Sequence, residues 1–180
     1  MKTIIVFLLF AFSANGLMAQ NVAGHSTKPT KEKKESEEDI QYQLNKTMLE
    51  NRDFVLEADY LQDQRGNRRF VNHMINFIQV DSTTAIIQVG SDYRIGPNGV
   101  GGITAKGRIT NWKLTEDKKN KFFSLYMNVM TPIGIYDLFF RIYPFSGSTA
   151  SLTGLSYGQL TFEGQLHPYS ESSIYEGQSL

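Results

Sequence analysis

Hydrophobic side chains recur at every second residue over most of the chain after Asp53, and this periodicity constrains the fold more than any other feature of the sequence. The clearest runs are residues 123–129 and 136–142, in which apolar residues alternate with mostly polar ones. Successive side chains of a β-strand point to opposite faces, so the alternation predicts strands with one buried and one solvated face. Turn residues separate the runs, which together predict about eight strands.

Short connections between the predicted strands determine how the strands pair. Parallel neighbours need a long crossover, whereas a short turn joins antiparallel strands. The sequence therefore predicts a mainly β (α+β) fold, in which an N-terminal helix precedes about eight antiparallel strands. The pattern leaves open whether the strands form a curled sheet, an open barrel or a two-layer sandwich.

Two of the strands permit more detailed predictions. In the first strand, the side chains predicted to face the core are those of Phe54, Leu56, Ala58 and Tyr60. The intervening residues, Val55 and Glu57 among them, are predicted to face water. Further along, Trp112 breaks the alternation that begins at Ile103, which predicts a β-bulge or a strand end near Asn111.

A helix is predicted before the strands, beginning near Ser36 and ending near Asn51. Ser36 can cap its first turn, and the acidic residues 37–39 suit the positive end of the helix dipole. The apolar residues at helical spacing, which predict the buried face, are Ile40, Leu44 and Met48, with Tyr42 and Leu49 beside them.

Residues 1–19 have the three-part layout of a secretory signal peptide, in which Lys2 precedes an apolar run and Ala19 lies at a plausible cleavage point. The apolar run is shorter than the about 20 residues that a membrane-spanning helix needs. We therefore expect a cleaved signal and a mature protein in the periplasm or secreted, without a transmembrane segment. Residues 20–35 are predicted to form a flexible linker, residues 36–166 one β-rich domain with its N-terminal helix, and residues 167–180 a polar tail.

Composition excludes several classes of site. The sequence contains no cysteine, so disulfides, thiolate metal sites, cysteine nucleophiles and a lipid-modified cysteine are excluded. Its 18 basic residues balance 18 acidic ones, which argues against a nucleic-acid partner. The histidines, His25, His73 and His167, do not have metal-ligand spacing. We therefore expect neither a metal site nor a cofactor.

Several motifs, taken in order along the chain, resemble a family of exported Bacteroidetes domains. A helix-to-strand entry at residues 50–58 comes first, Tyr93 follows a paired strand, a glycine-rich loop occupies residues 96–102, and Leu-Thr-Phe-Glu-Gly occupies residues 160–164. On these motifs the chain resembles the domain-of-unknown-function 4251 family. Residues 86–90 depart from the family's Leu-Pro-Tyr-Phe-Gly. The resemblance implies an exported β-rich domain but no activity, because the family has none assigned.

The glycine-rich loop at residues 96–102 is one candidate for ligand binding, with Asn98 inside it and Tyr93 just before it. Loops carry binding residues more often than the elements that they connect. A strand rather than a helix is predicted after this loop, so it lacks the helix N-terminus on which dinucleotide and P-loop sites depend.

Three aromatic residues form a second candidate. Tyr126, Phe139 and Tyr143 lie on the non-core face of their predicted strands. An exposed aromatic face can bind a glycan, a peptide or a lipid. The alternative is that the helix covers this face, because an amphipathic helix must pack against some part of the sheet.

The sequence favours a non-catalytic periplasmic or envelope protein, which binds an unidentified ligand or protein partner through a sheet face or the glycine-rich loop. It contains no serine-nucleophile motif, and its acidic residues are scattered singly along the predicted strands. Folding could still bring two carboxylates together, so a hydrolase acting on glycan or peptide material is the alternative.

Overall fold

The computed structural model describes residues 31–91, 98–145, 147–155 and 158–179. One α-helix opens this part of the chain, and nine strands follow it. In chain order the elements are α1 (Lys31–Asn51), β1 (Asp53–Asp63), β2 (Arg68–Phe70), β3 (Phe77–Asp81), β4 (Thr84–Val89), β5 (Ile103–Asp117), β6 (Phe122–Thr131), β7 (Gly134–Ile142), β8 (Ser148–Leu155), β9 (Gly158–His167) and a 3₁₀-helix (Tyr169–Glu171).

The strands form one closed antiparallel sheet. From β3 to β9 each strand pairs with the next along the chain, and β1 pairs with both β3 and β9, which closes the sheet into a barrel. β2 and β3 lie along the same edge of β1, with β2 against residues 60–62 and β3 against residues 53–57. The predicted fold of one helix and antiparallel strands is confirmed, and the closure that the sequence left open is that of a barrel.

Inward-facing residues fill the barrel. The largest fully buried side chains inside it include Phe54, Phe123, Phe140 and Phe162. The rings of Phe54 and Phe140 meet edge to face with centroids 5.8 Å apart, an arrangement that aromatic pairs prefer. Burial of each such side chain contributes about 1.5–3 kcal/mol to the stability of the fold.

β-bulges in β1 and β5 shift the alternation of side chains. The bulge in β5 lies between Ile109 and Asn111, which confirms the predicted break. A second bulge in β1 lies between Ala58 and Tyr60. It turns Tyr60 out of the interior, where its ring lies 3.5 Å from the guanidinium of Arg68. The prediction that Tyr60 shares the core face is wrong, because an extra residue in a strand reverses the alternation.

α1 closes one end of the barrel with a face that differs from the predicted one. Tyr42, Met48 and Leu49 reach the core, whereas Ile40 and Leu44 are 68% and 41% exposed. The prediction is therefore wrong for Ile40 and Leu44. The ring and hydroxyl of Tyr42 both find partners at the barrel end, and this favours the rotation of the helix that the structure shows.

The start of α1 also differs from the prediction. The helix begins at Lys31, so Ser36 lies within it and is not its cap. Residues 1–30, which include the predicted signal peptide and the first part of the predicted linker, lie outside the described residues. In the part of the chain that the structure describes, no helix combines the length and the apolar character needed to cross a membrane.

The segment after β9 lies against the barrel wall. Residues 172–179, which we call the strap, cross the outer side of β1, β3, β4 and β5. Ile174 packs against the apolar cluster that contains Val55, and the Ser173 amide donates a hydrogen bond to the Glu57 carboxylate. Val55 and Glu57 are therefore buried, and the prediction that they face water is wrong.

Candidate ligand-binding site

The two ends of the barrel differ. At the closed end, α1 covers the interior: the Tyr42 ring stacks on Phe123, and the Asn45 amide donates a hydrogen bond to the backbone oxygen of Tyr143. At the opposite end, which we call the mouth, no helix of the described residues covers the interior. The mouth is therefore the end of the barrel that the described helices leave uncovered.

A cavity of about 280 Å³ lies inside the barrel at the mouth. It is lined by Ile87, Val89, Gly102, Ile103, Ala105, Tyr136, Leu152 and Leu160. None of these residues carries a charge, and all but one have purely apolar side chains or none. Small-molecule sites occur preferentially in such places, and a barrel of this size can hold one small ligand.

Two small residues shape the wall of the cavity. A Cβ atom on Gly102 would lie 1.9 Å from the backbone oxygen of Val89, so only glycine lets the chain entering β5 approach β4 this closely. Ala105 occupies an inward position on β5 but its methyl group fills little of the barrel. A larger side chain there would complete the core, so Ala105 leaves the space open.

Tyr136 is the residue of this lining whose side chain carries a polar atom. Its side chain is only 6% exposed, and its hydroxyl donates no hydrogen bond to any residue that the structure describes. Burial raises the pKa of Tyr136 above its ordinary value of 10.0. The hydroxyl therefore stays protonated near neutral pH and can donate a hydrogen bond to an acceptor atom of a ligand.

A larger depression, of about 440 Å³, lies on the outer surface beside the connection between β2 and β3. Its two asparagine side chains, Asn72 and Asn76, already bind the backbone. The Asn76 amide donates to the backbone oxygen of Asn72, and the Asn76 side-chain oxygen accepts a hydrogen bond from the Gly90 amide. These groups shape the connection itself, so the mouth is the better candidate.

Comparison with known proteins assigns a family. A family model described as a domain of unknown function, DUF4251, matches residues 15–166. The chain belongs to the DUF4251 family. A crystal structure of a DUF4251 family protein from Bacteroides eggerthii DSM 20697 has a similar fold, with a TM-score of 0.64 and 24% sequence identity over 77% of this chain and 95% of that one. No curated protein matches the chain.

The predicted resemblance is thus confirmed, and it brings no activity with it, because the description of the DUF4251 family states none. The similarity to the Bacteroides eggerthii protein supports the fold alone. What this DUF4251 domain does must therefore be argued from its own site.

Of the two residues predicted to bind a ligand near the glycine-rich loop, Asn98 is described and Tyr93 lies outside the described residues. Asn98 is buried, and its amide donates to the Thr104 hydroxyl at 3.1 Å. Its side-chain oxygen accepts hydrogen bonds from the amides of Val100 and Gly102. Asn98 therefore shapes the loop beside the mouth of this DUF4251 domain. Ligand binding by Asn98 or Tyr93 stays a prediction.

The predicted aromatic surface is only partly assembled. Tyr126 and Phe139 are cross-strand partners on the outside of β6 and β7, and Phe139 is 40% exposed. Tyr143 lies at the closed end, where its ring packs against Phe122 with centroids 5.3 Å apart. α1 covers the barrel end and leaves Phe139 accessible. Ligand binding by these aromatic residues stays a prediction.

Sequence reasoning assigned several cavity residues to the core but did not identify the cavity. Ile87, Ala105 and Tyr136 follow the same alternation as fully packed residues, so periodicity cannot separate a filled interior from an open one. The available signals were weak. They were the small size of Ala105 and the hydroxyl of Tyr136 at inward positions near strand ends.

The described residues give no support for hydrolytic chemistry. They contain no group of three or more histidine, cysteine, aspartate or glutamate side chains that could hold a metal ion. The Ser172 hydroxyl donates to Glu57 at 2.6 Å, and His73 approaches the same carboxylate at 3.8 Å. The serine is hydrogen-bonded to the carboxylate, so these three side chains do not have the serine–histidine–carboxylate order of a catalytic triad.

Proposed function

We propose that this DUF4251 domain binds a small, mainly apolar ligand in the mouth of its barrel. The observation that carries the proposal is the uncharged, mainly apolar cavity, and the hydroxyl of Tyr136, a residue of its lining, is the polar contact that we infer for the ligand. Removal of apolar surface from water drives binding in such a cavity, and one hydrogen bond fixes the orientation of the ligand.

The cavity limits the size and chemistry of the ligand. Since a dry cavity of about 150 Å³ binds benzene, which has six non-hydrogen atoms, 280 Å³ accommodates roughly ten non-hydrogen atoms. A charged group would lose its hydration among these residues without gaining a partner. The part of the ligand inside the barrel is therefore a short aliphatic or aromatic group with one neutral acceptor, such as a carbonyl oxygen, directed at Tyr136.

The proposal includes a compartment. With residues 1–19 acting as a cleaved signal, the domain would work in the periplasm or outside the cell, and its ligand would be an envelope or extracellular compound. The short apolar run of residues 4–12, preceded by Lys2 and followed by Ala19, supports this part of the proposal. Detection of a mature N-terminus at Gln20 in a periplasmic or secreted fraction tests it.

Titration of the purified protein with 2-octanone, monitored by amide chemical shifts, tests the binding site. The molecule has nine non-hydrogen atoms and one carbonyl acceptor, which fits a cavity for roughly ten atoms. Shifts should centre on β4, β5 and the start of β7. Ala105→Phe should abolish them, because the ring occupies the cavity. Thr153→Phe, on the outer face of β8, is the matched control and should bind normally.

A second titration tests the role of Tyr136. Tyr136→Phe should weaken the binding of 2-octanone about 2–10-fold, the effect of losing one neutral hydrogen bond. It should leave propylbenzene, which has a similar size and no acceptor, unaffected. Binding that is unchanged by Ala105→Phe, or no binding of either compound to the unaltered protein, would contradict the proposal.

A further inference from the structure

The strap, residues 172–179, occupies a groove that is built to receive an extended chain. Ile174 packs against an apolar cluster on the outer side of the sheet, formed by Val55, Phe77 and Ile86. These side chains point away from the barrel interior and would face water without the strap. Apolar contact therefore accounts for the position of the strap on the wall, but not for its register.

Two buried polar side chains fix that register. The Glu57 carboxylate accepts hydrogen bonds from the Ser172 hydroxyl at 2.6 Å and from the Ser173 amide at 3.1 Å. The fully buried Gln88 donates to the backbone oxygen of Tyr175 at 2.8 Å and accepts a hydrogen bond from the Gly177 amide at 2.8 Å. Without the strap, both side chains would lose partners that they need.

Further hydrogen bonds connect Gln88 and the strap to the glycine-rich loop. The Thr104 hydroxyl donates to Gln88 at 2.9 Å, and the Asn98 amide donates to the Thr104 hydroxyl. The Gln178 amide of the strap donates directly to the backbone oxygen of Asn98 at 2.8 Å. Asn98 in turn holds the amide of Gly102, which lines the cavity. A continuous set of contacts thus joins the strap to the mouth.

Gly177 shows how closely the strap fits the loop. A Cβ atom at this position would lie 2.5 Å from the backbone oxygen of Asn98 and 2.8 Å from a methyl carbon of Val100. The strap can approach the loop in this way only with glycine there. A side chain at position 177 would push the strap and the loop apart.

We propose that the strap holds residues 98–102 of the glycine-rich loop in the conformation seen at the rim of the mouth, so that displacement of the strap loosens these residues and weakens ligand binding. The part of this inference that concerns affinity rests on the proposed function. The mechanical part does not, because it concerns only how the strap orders residues 98–102. An element that must be ordered before binding lowers the apparent affinity when it becomes mobile.

Native-state amide hydrogen exchange on full-chain variants tests the mechanical part. Gly177→Val should release the strap, and the Val100 and Gly102 amides should then exchange faster, while amides of β6 and β7 keep their protection. Ile174→Ser, which weakens the apolar anchor, is a second variant in case Gly177→Val does not fold. Tyr175→Ala removes a side chain that is 62% exposed and keeps the backbone contacts, so it is the control and should change neither amide.

Titration of the same variants with 2-octanone tests the link to the mouth. The dissociation constant should rise roughly 5-fold or more in the strap variants and stay constant in Tyr175→Ala. Fast exchange in the strap with unchanged protection of Val100 and Gly102 would overturn the inference, as would loosened loop amides with unchanged affinity. If no variant and not even the unaltered protein binds 2-octanone, the proposed function fails, while the exchange rates still decide whether the strap orders the loop.

Discussion

The closed end and the mouth of the barrel are built from the same alternating strands, yet one is packed and the other is hollow. At the closed end, the rings of Tyr42 and Phe123 stack with centroids 4.9 Å apart, and Leu49 is fully buried. At the mouth, inward positions of β5 and β7 hold Ala105 and Tyr136, and a cavity remains between them. Both ends have apolar linings, so hydrophobicity does not distinguish them.

The difference lies in side-chain volume and in the helix. α1 adds large side chains to the closed end, whereas a small residue at the mouth leaves space unfilled. Polar groups follow the same division: the Tyr42 hydroxyl donates to Glu116 at 2.6 Å, whereas the Tyr136 hydroxyl donates to no described residue. An end with satisfied polar groups and dense packing serves stability, and an end with free volume and an available donor is suited to binding.

The largest effect is expected from removing a helix side chain at the closed end. Leu49→Ala should lower the free energy of unfolding by about 2–5 kcal/mol, because it leaves a cavity in a packed region. Leu44→Ala, on the exposed side of the same helix, should change it by less than about 0.5 kcal/mol. Urea unfolding measures both. Equal losses would show that α1 is stabilised by helix propensity and not by docking.

The same substitution at two depths of the barrel gives the next largest contrast. Ala150 and Ala105 both face inward, but Ala150 lies in the fully packed interior and Ala105 lines the cavity. Ala150→Leu should destabilise the protein by about 1–3 kcal/mol through overpacking. Ala105→Leu should be neutral or add about 0.5–1 kcal/mol, because the new methyl groups fill space. Thermal unfolding compares the two variants, and a large loss in Ala105→Leu would contradict the existence of the cavity.

The hydroxyl of Tyr42 is expected to contribute less. Tyr42→Phe should cost about 1–2 kcal/mol, because it removes a hydrogen bond to a carboxylate but keeps the stacked ring. Burial, together with the hydrogen bond to Glu116, raises the pKa of Tyr42 to about 12 from 10.0. Folding therefore favours the protonated form, and its contribution is complete below pH 10 and is lost as the pH rises from about 10 to 12.

Denaturant unfolding between pH 8 and pH 12, done in parallel on the unaltered protein and Tyr42→Phe, isolates this contribution from that of the other tyrosines and the lysines. The difference in stability between the two proteins should shrink as the pH rises through that window. A difference that does not depend on pH would show that the hydroxyl is not buried against Glu116.

The smallest effect is expected for an ion pair at the rim of the closed end. Lys121 lies 2.9 Å from Asp39 of α1, and both side chains are partly exposed. Asp39→Asn should therefore cost less than about 0.5 kcal/mol. Measurement at low salt and at about 1 M salt, where screening is nearly complete, provides the control. If Asp39→Asn lowered the free energy of unfolding by several kcal/mol even at high salt, the prediction would be wrong, and this ion pair would be needed to hold α1 on the barrel end.

Much of the fold could be predicted from the sequence because its signals are local. Alternation identified the strands, and the break in phase at Trp112 identified the bulge beside Asn111. The prediction for Tyr60 failed because nothing in the sequence around Ala58 marks the extra residue of the bulge in β1. The helix face was also misassigned. Hydrophobicity favours Ile40 over Asn45 for the buried face, but Asn45 is the buried residue of the two, and its amide donates a hydrogen bond to the backbone oxygen of Tyr143 at the barrel end.

Little of the candidate site could be predicted, for a physical reason. The cavity exists because the side chains of its lining, which come from five strands and a loop, have too little volume to fill the space between them. Periodicity indicates which face of the sheet a residue occupies, but not how completely the space on that face is filled. The strap shows the same difficulty. Its composition is polar, and its binding depends on backbone hydrogen bonds to Gln88 and Glu57, which are distant in sequence.

The sequence by itself determined the strands, their antiparallel pairing and the family, because these depend on local periodicity, short turns and a recognisable order of motifs. The tertiary structure alone decided that the sheet closes, which end the helix covers, and that the mouth stays hollow with the strap beside it. Those outcomes depend on how volumes and hydrogen-bonding groups from distant residues match, and no stretch of neighbouring residues contains that information.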